Sequence, residues 1–142
     1  MDEYIPLKII FSNDEEAVEY VSFSKNRTSS LEVVIGIKTK KIKRITLLLC
    51  KDFSETTNEL TVEKYEDEQI KFNSTNIECD IFKTILYRNG VRIIFSNKIS
   101  FKFIKMDKVY LGLSDTNNIN EICVCGMSFS ELKHLKTELE LQ

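Results

Sequence analysis

The stretch EICVCGMSFSEL, residues 121–132, decides how this chain is read. Its Cys-Val-Cys core is either a metal or redox motif, or the last core strand ahead of a helix. In a strand, residues i and i+2 point the same way but lie about 6.5–7 Å apart, wider than a C-x2-C turn folds two thiolates onto one zinc ion. Ile122 and Val124 interleave with Cys123 and Cys125, and in such company a free cysteine behaves as a small hydrophobe. The pattern therefore predicts a strand with apolar side chains on both faces, each of which needs cover. Ser128-Phe-Ser-Glu131 follows with the spacing of a capping box, and Met127 and Leu132 occupy the staple positions. A C-terminal helix is expected to start there, with Phe129, Leu132, Leu135 and Leu139 on one face, lying across the sheet as one of its two covers.

Upstream, strand signals dominate. Residues 4–11 form a first strand whose Pro6 suits an edge. Residues 13–24 mix signals: Ser12 and Glu15 have capping-box spacing, yet residues 20–23 are rich in β formers, so a short turn and then a strand are expected. Residues 31–37 and 42–50 flank a lysine-rich turn and predict a hairpin. Residues 58–73 read as one or two polar strands that include 68–72, and residues 77–87 as one apolar strand. Arg88-Asn-Gly90 between strands predicts a two-residue type I′ hairpin turn, with Asn and Gly at positive φ. Residues 91–95, 99–103, 109–113 and 119–125 then continue as an antiparallel meander. The expected fold is α+β and predominantly antiparallel β: a curved or sandwich-like sheet of about seven to nine strands with one C-terminal helix.

At 142 residues the chain suits a single domain, 1–142, long enough to bury roughly 70% of the surface its unfolded form exposes. Hydrophobic residues at 42% beside 30% charged ones exclude a disordered class, and four Gly with one Pro leave little for a linker. The N-terminus has neither a basic segment nor a long apolar run, and no stretch approaches the ~20 apolar residues of a membrane helix, so no membrane partner is expected. A cytoplasmic location with reduced cysteines follows as the expectation. Sixteen Lys against four Arg, with frequent Ile and Asn, point to an AT-rich genome, such as that of a low-GC bacterium or its phages.

Net charge is −2, which argues against broad electrostatic binding to nucleic acid. The charge is unevenly placed, however. Lys38, Lys40, Lys41, Lys43 and Arg44 make a basic patch, whereas residues 52–68 hold seven acidic residues and one Lys.

Each chemical motif is weighed against a structural role. Cys50, Cys79, Cys123 and Cys125 read as core packing; Cys125, just ahead of the helix, is the choice if one thiol is reactive. His134 is the single histidine, so any His-based mechanism runs through it; its helical position predicts a solvated side chain. Glu78 and Asp80 flank Cys79 and would project together from one strand face, a solvated pair unless it holds a divalent ion. Neither a metal site nor a cofactor is expected, nor a catalytic residue. In the meander, Arg88, Arg92, Lys98, Lys102 and Lys105 alternate with Tyr87, Phe95, Phe101 and Phe103, the make-up of a single-strand stacking surface. Alternation sends Phe101 and Phe103 opposite Lys102, toward the core.

What this pattern favours is a non-enzymatic protein-binding module, of the kind exemplified by bacterial immunity or inhibitor proteins that neutralise a toxin. Its partner-binding residues would be Phe53, Glu55, Glu59, Glu63, Tyr65, Glu66, Asp67 and Glu68, acidic and aromatic together. The alternative is a nucleic-acid-binding β domain using the basic patch and the meander face, and a small hydrolase ranks third.

Overall fold

The structure, a computed structural model, describes residues 5–13, 15–67, 75–116 and 118–142. Two sheets and one helix carry the fold, an α+β arrangement dominated by β structure. The first sheet runs in the order β1 (Leu7–Ile10), β4 (Ile42–Leu49), β3 (Ser29–Gly36), β2 (Val18–Lys25), β6 (Thr75–Glu78). The second runs β5 (Phe53–Glu55), β7 (Lys83–Leu86), β8 (Gly90–Ile94), β11 (Ile119–Cys125), β10 (Val109–Leu113), β9 (Lys102–Met106). Helix α1 (Phe129–Glu140) follows β11 after a three-residue link.

Cross-strand ladders of apolar side chains fix the registers. In the first sheet Phe23 pairs Leu31, Leu31 pairs Leu47 and Leu47 pairs Leu7, while Val21, Val33, Ile45 and Ile9 make a parallel row. In the second sheet Ile93, Ile122, Leu111 and Ile104 form one row, and Val91, Val124 and Val109 the next. All are buried. Because strand side chains alternate, a one-residue slip would turn a whole row to water, so the rows fix the pairing. Most of these residues share one core cluster with Phe82, Met127, Leu135 and Leu139. The two sheets are therefore the slices of a sandwich. Phe23 of the first sheet stacks on Phe95 at 4.4 Å between ring centroids, and Phe82 meets Phe95 edge-on at 5.3 Å.

The eleven strands among the described residues exceed the expected seven to nine, for two physical reasons. Three are edge strands of three or four residues, too short for a periodic signal. And residues 77–87 are not one strand: β6 ends at Glu78, the chain crosses between the sheets with Cys79 and Phe82 buried on the way, and β7 begins at Lys83. The antiparallel meander is likewise corrected. β9, β10 and β11 are hairpin neighbours, but β8 pairs β11, giving a Greek-key order, and β2–β6 and β5–β7 are parallel. Residues 15–17 form no helix and lead directly into β2. Of the polar strands expected over 58–73, residues 68–73 lie outside the described residues.

The hairpin at residues 87–90 forms, but not as a type I′ turn: neither Asn89 nor Gly90 takes a positive φ. Glycine is required there for space instead, since a Cβ on residue 90 would collide with the Val124 carbonyl oxygen of β11.

Helix α1 starts as predicted, with Ser128 Oγ accepting from the Glu131 N–H at 3.2 Å and Glu131 Oε1 accepting from the Ser128 N–H at 2.9 Å. Its placement differs from the expectation. Leu135 and Leu139 enter the shared core, Gln142 bonds the backbone of Leu48 and Cys50 at the end of β4, and Lys136 pairs Glu55 of β5 at 2.7 Å. The helix thus closes the gap between the two sheets rather than lying across an outer face. Rotation about its axis leaves Phe129, expected in the core, 82% exposed.

Candidate functional site

If α1 belongs to the core between the sheets, something else must cover the cysteine face of β11. That cover is residues 58–66, a strap laid across the outer side of the second sheet. At its start the Asn58 carbonyl accepts from the Arg88 N–H at 3.0 Å. Asn89 then clamps Leu60 from both sides, its Oδ1 accepting from the Leu60 N–H at 2.7 Å and its Nδ2 donating to the Leu60 carbonyl at 3.2 Å. Leu60 is buried, with its carbonyl 4.0 Å from Cys125 Sγ. Further on, Tyr65 packs edge-on against Tyr110 of β10 and lies beneath Lys105 Nζ. Glu66 ends the strap in a single parallel bridge to β9, its N–H bonding the Phe103 carbonyl at 2.9 Å and its carbonyl the Lys105 N–H at 3.0 Å.

Upstream of that bridge a cleft of about 460 Å³ lies between residues 61–66 and residues 100–103. One lip carries Glu63 and Tyr65, and the other carries Phe101, 76% exposed, next to Ile99, 92% exposed. Two apolar side chains this exposed on one short loop are unusual, since large apolar groups in water forgo about 1.5–3 kcal/mol of burial each. A buried network holds the loop in place. Glu121 of β11, itself buried, accepts from Arg92 Nε at 2.7 Å and from Ser100 Oγ at 2.6 Å. Gly112 sits between Glu121 and Phe103 in the same cross-strand row, and a Cβ there would overlap the Ser100 hydroxyl. The missing side chain is what lets Ser100 reach Glu121.

Three of the six predicted carboxylates are neutralised within the fold. Glu55 pairs Lys136, Glu59 pairs Arg88, and Glu66 lies 3.8 Å from Lys102. Phe53 is half-buried against the core, and Tyr65 is committed to Tyr110. Among the described residues, Glu63 and Asp67 remain as exposed carboxylates without an ion pair; Glu68 lies outside them. The structure thus brings Glu63, Tyr65 and Glu66 to one cleft, sets Asp67 next along the chain, and places Phe53, Glu55 and Glu59 elsewhere.

No protein-family model and no curated protein matches this chain.

The other sites fall into place around this one. In the basic patch, Lys43 Nζ meets Glu16 at 3.2 Å and Arg44 lies 3.9 Å from Glu32, so Lys38, Lys40 and Lys41 are its exposed members. Glu16 also accepts from the Lys38 and Thr39 N–H groups at 3.1 Å each, and these backbone bonds lower its pKa. In the second sheet, Arg88, Arg92 and Lys102 sit beside carboxylates, Lys105 lies over Tyr65, and Phe95 is buried. Burial raises the pKa of all four thiols, Cys125 included, which is opposite to the shift that activates a thiolate. His134 is exposed, with Nε2 3.1 Å from the Ile5 carbonyl. Glu78 does not share a strand face with Asp80, which follows the end of β6; Glu78 instead accepts from the Asn26 N–H and Ser24 Oγ. Among the described residues no helix is long and apolar enough to cross a membrane, and no three His, Cys, Asp or Glu side chains are grouped to hold a metal.

Ile99 is the site residue that sequence reasoning missed, and Phe101 the one it turned the wrong way. It grouped Phe101 with Phe103 correctly but turned the pair inward. Ile104 holds the inward position, so Phe101 and Phe103 fall on the strap side.

Proposed function

We propose that this chain is a non-enzymatic protein-binding module that neutralises its partner by direct contact, the mode of bacterial immunity and inhibitor proteins. The observation that carries this reading is the cleft on the outer face of the second sheet. There a pinned strap bearing the unpaired carboxylate Glu63, with Asp67 just beyond its end, faces a loop that holds Ile99 and Phe101 in water. Rigid apolar anchors ringed by polar groups are the make-up of binding hot spots, and preorganisation lowers the entropy lost on association. The carboxylates would steer a basic partner toward the anchors. The module would act in the cytoplasm, where its thiols stay reduced.

Affinity capture from the native host tests this with two baits, the native chain and the Glu63→Lys/Asp67→Lys double variant. A discrete protein retained by the native bait and lost from the variant is the expected result; identical captures would remove the acidic strap from the interface. A second reading, nucleic-acid binding, has one supporting observation, the three exposed lysines 38, 40 and 41 on a tight turn. It requires salt-dependent oligonucleotide binding that weakens when those lysines are replaced, and no binding at low salt would end it.

A further inference from the structure

Resting on that protein-binding reading, we propose that the cleft takes an extended segment of the partner as an added strand. The strap and β9 run parallel and touch at one bridge, Glu66 to Ile104, so the cleft is the wedge upstream of the point where they meet. Residues 61–65 form no helix, turn or bend and are pinned at both ends, at Leu60 by Asn89 and at Glu66 by β9. Between those pins their backbone N–H and C=O groups make no hydrogen bond among the described residues. A row of unpaired backbone groups held beside a strand is a template for strand addition, in which the main chain supplies affinity and alternate side chains supply specificity.

The lips define which side chains suit the added strand. A bulky apolar residue packs on Phe101, and a Lys or Arg on the same face, two residues along, lies toward Glu63. Ser100, tied to Glu121 over Gly112, keeps the Phe101 lip in position while the cleft is empty.

The test uses a displayed library of random nonapeptides selected on the intact chain, followed by titration of the best selected peptide into the 15N-labelled protein. Selected peptides are expected to share an apolar residue with a Lys or Arg two positions away, and their binding to shift the amides of residues 61–65 and 100–103. Phe101→Ala, which removes an exposed ring, should weaken binding about tenfold or more, as expected of an anchor. Lys64→Pro, which deletes one backbone donor, should do the same; if that variant loses its fold, the amide map and Phe101→Ala decide. Failure to enrich peptides over a Phe101→Ala control, or shifts that map away from the cleft, would overturn strand addition. If partner capture were still lost in Glu63→Lys/Asp67→Lys, the protein-binding reading would stand without it.

Discussion

Gly90 and Glu16 show how single residues carry more than their type suggests. Asn89-Gly90 has the composition of a positive-φ turn, yet the glycine is needed because β11 passes where a side chain would sit, and the asparagine because its amide holds Leu60. Gly90→Ala should therefore destabilise by about 1–3 kcal/mol, the range for overpacking a tight site. A denaturant midpoint that does not move would contradict this placement of β11. Glu16 folds the lysine turn onto its carboxylate, so its pKa lies below the ordinary value of 4.5. A depressed pKa means that the charged form is favoured by folding. Its contribution is complete above about pH 4.5 and is lost as pH falls through the lower folded-state value. Amide exchange at Lys38 and Thr39 should accelerate in that acid window beyond its intrinsic trend, and Glu16→Gln should abolish the pH-dependent part.

At the scale of elements, the helix and the strap exchange the roles that local patterning assigns them. Capping and termination of α1 are local events, so residues 128–131 predict its start correctly. Which way the helix faces depends on two sheets whose separation no periodicity encodes, and the stripe of Phe129, Leu132, Leu135 and Leu139 rolls so that its first member leaves the core. Leu135→Ala should cost about 2–5 kcal/mol by opening a core cavity. Phe129→Ser should stay within about 0.5 kcal/mol, as exposed substitutions do. Comparable losses for the two would place the helix as first expected, across a sheet face. The strap lacks a signal of its own: with Leu60, Val62 and Tyr65 amid charges it resembles a polar strand, and only the apolar outer face beneath it explains where it lies. The hairpins at β3–β4 and β10–β11 were legible because the two strands of each are close in sequence. The split of residues 77–87 was not, because a crossing between sheets interrupts hydrogen bonding without interrupting hydrophobicity.

For the whole molecule, the sandwich pairs off part of an unevenly placed charge. Three carboxylates of the acidic segment meet Lys136, Arg88 and Lys102, and two cations of the basic turn meet Glu16 and Glu32. Charge alone therefore carries less of any association than the sequence suggests, and the exposed pair Ile99 and Phe101 carries more. Apart from the buried Lys43–Glu16 pair, these are exposed ion pairs that contribute at most about 1 kcal/mol each to stability, so their main effect is to decide which charges remain for a partner. Among the described residues the acidic segment keeps Asp52, Glu63 and Asp67, the last two on the strap and just past its end, while the basic turn keeps Lys38, Lys40 and Lys41. These two surfaces are the alternatives for function, and a photoreactive p-benzoylphenylalanine placed at residue 101 or at residue 40 in the native host separates them directly. The account predicts a discrete protein adduct from position 101 that excess unlabelled chain competes away and that the Glu63→Lys/Asp67→Lys form of the competitor does not. Adducts from position 40 alone, or adducts made with nucleic acid, would contradict it.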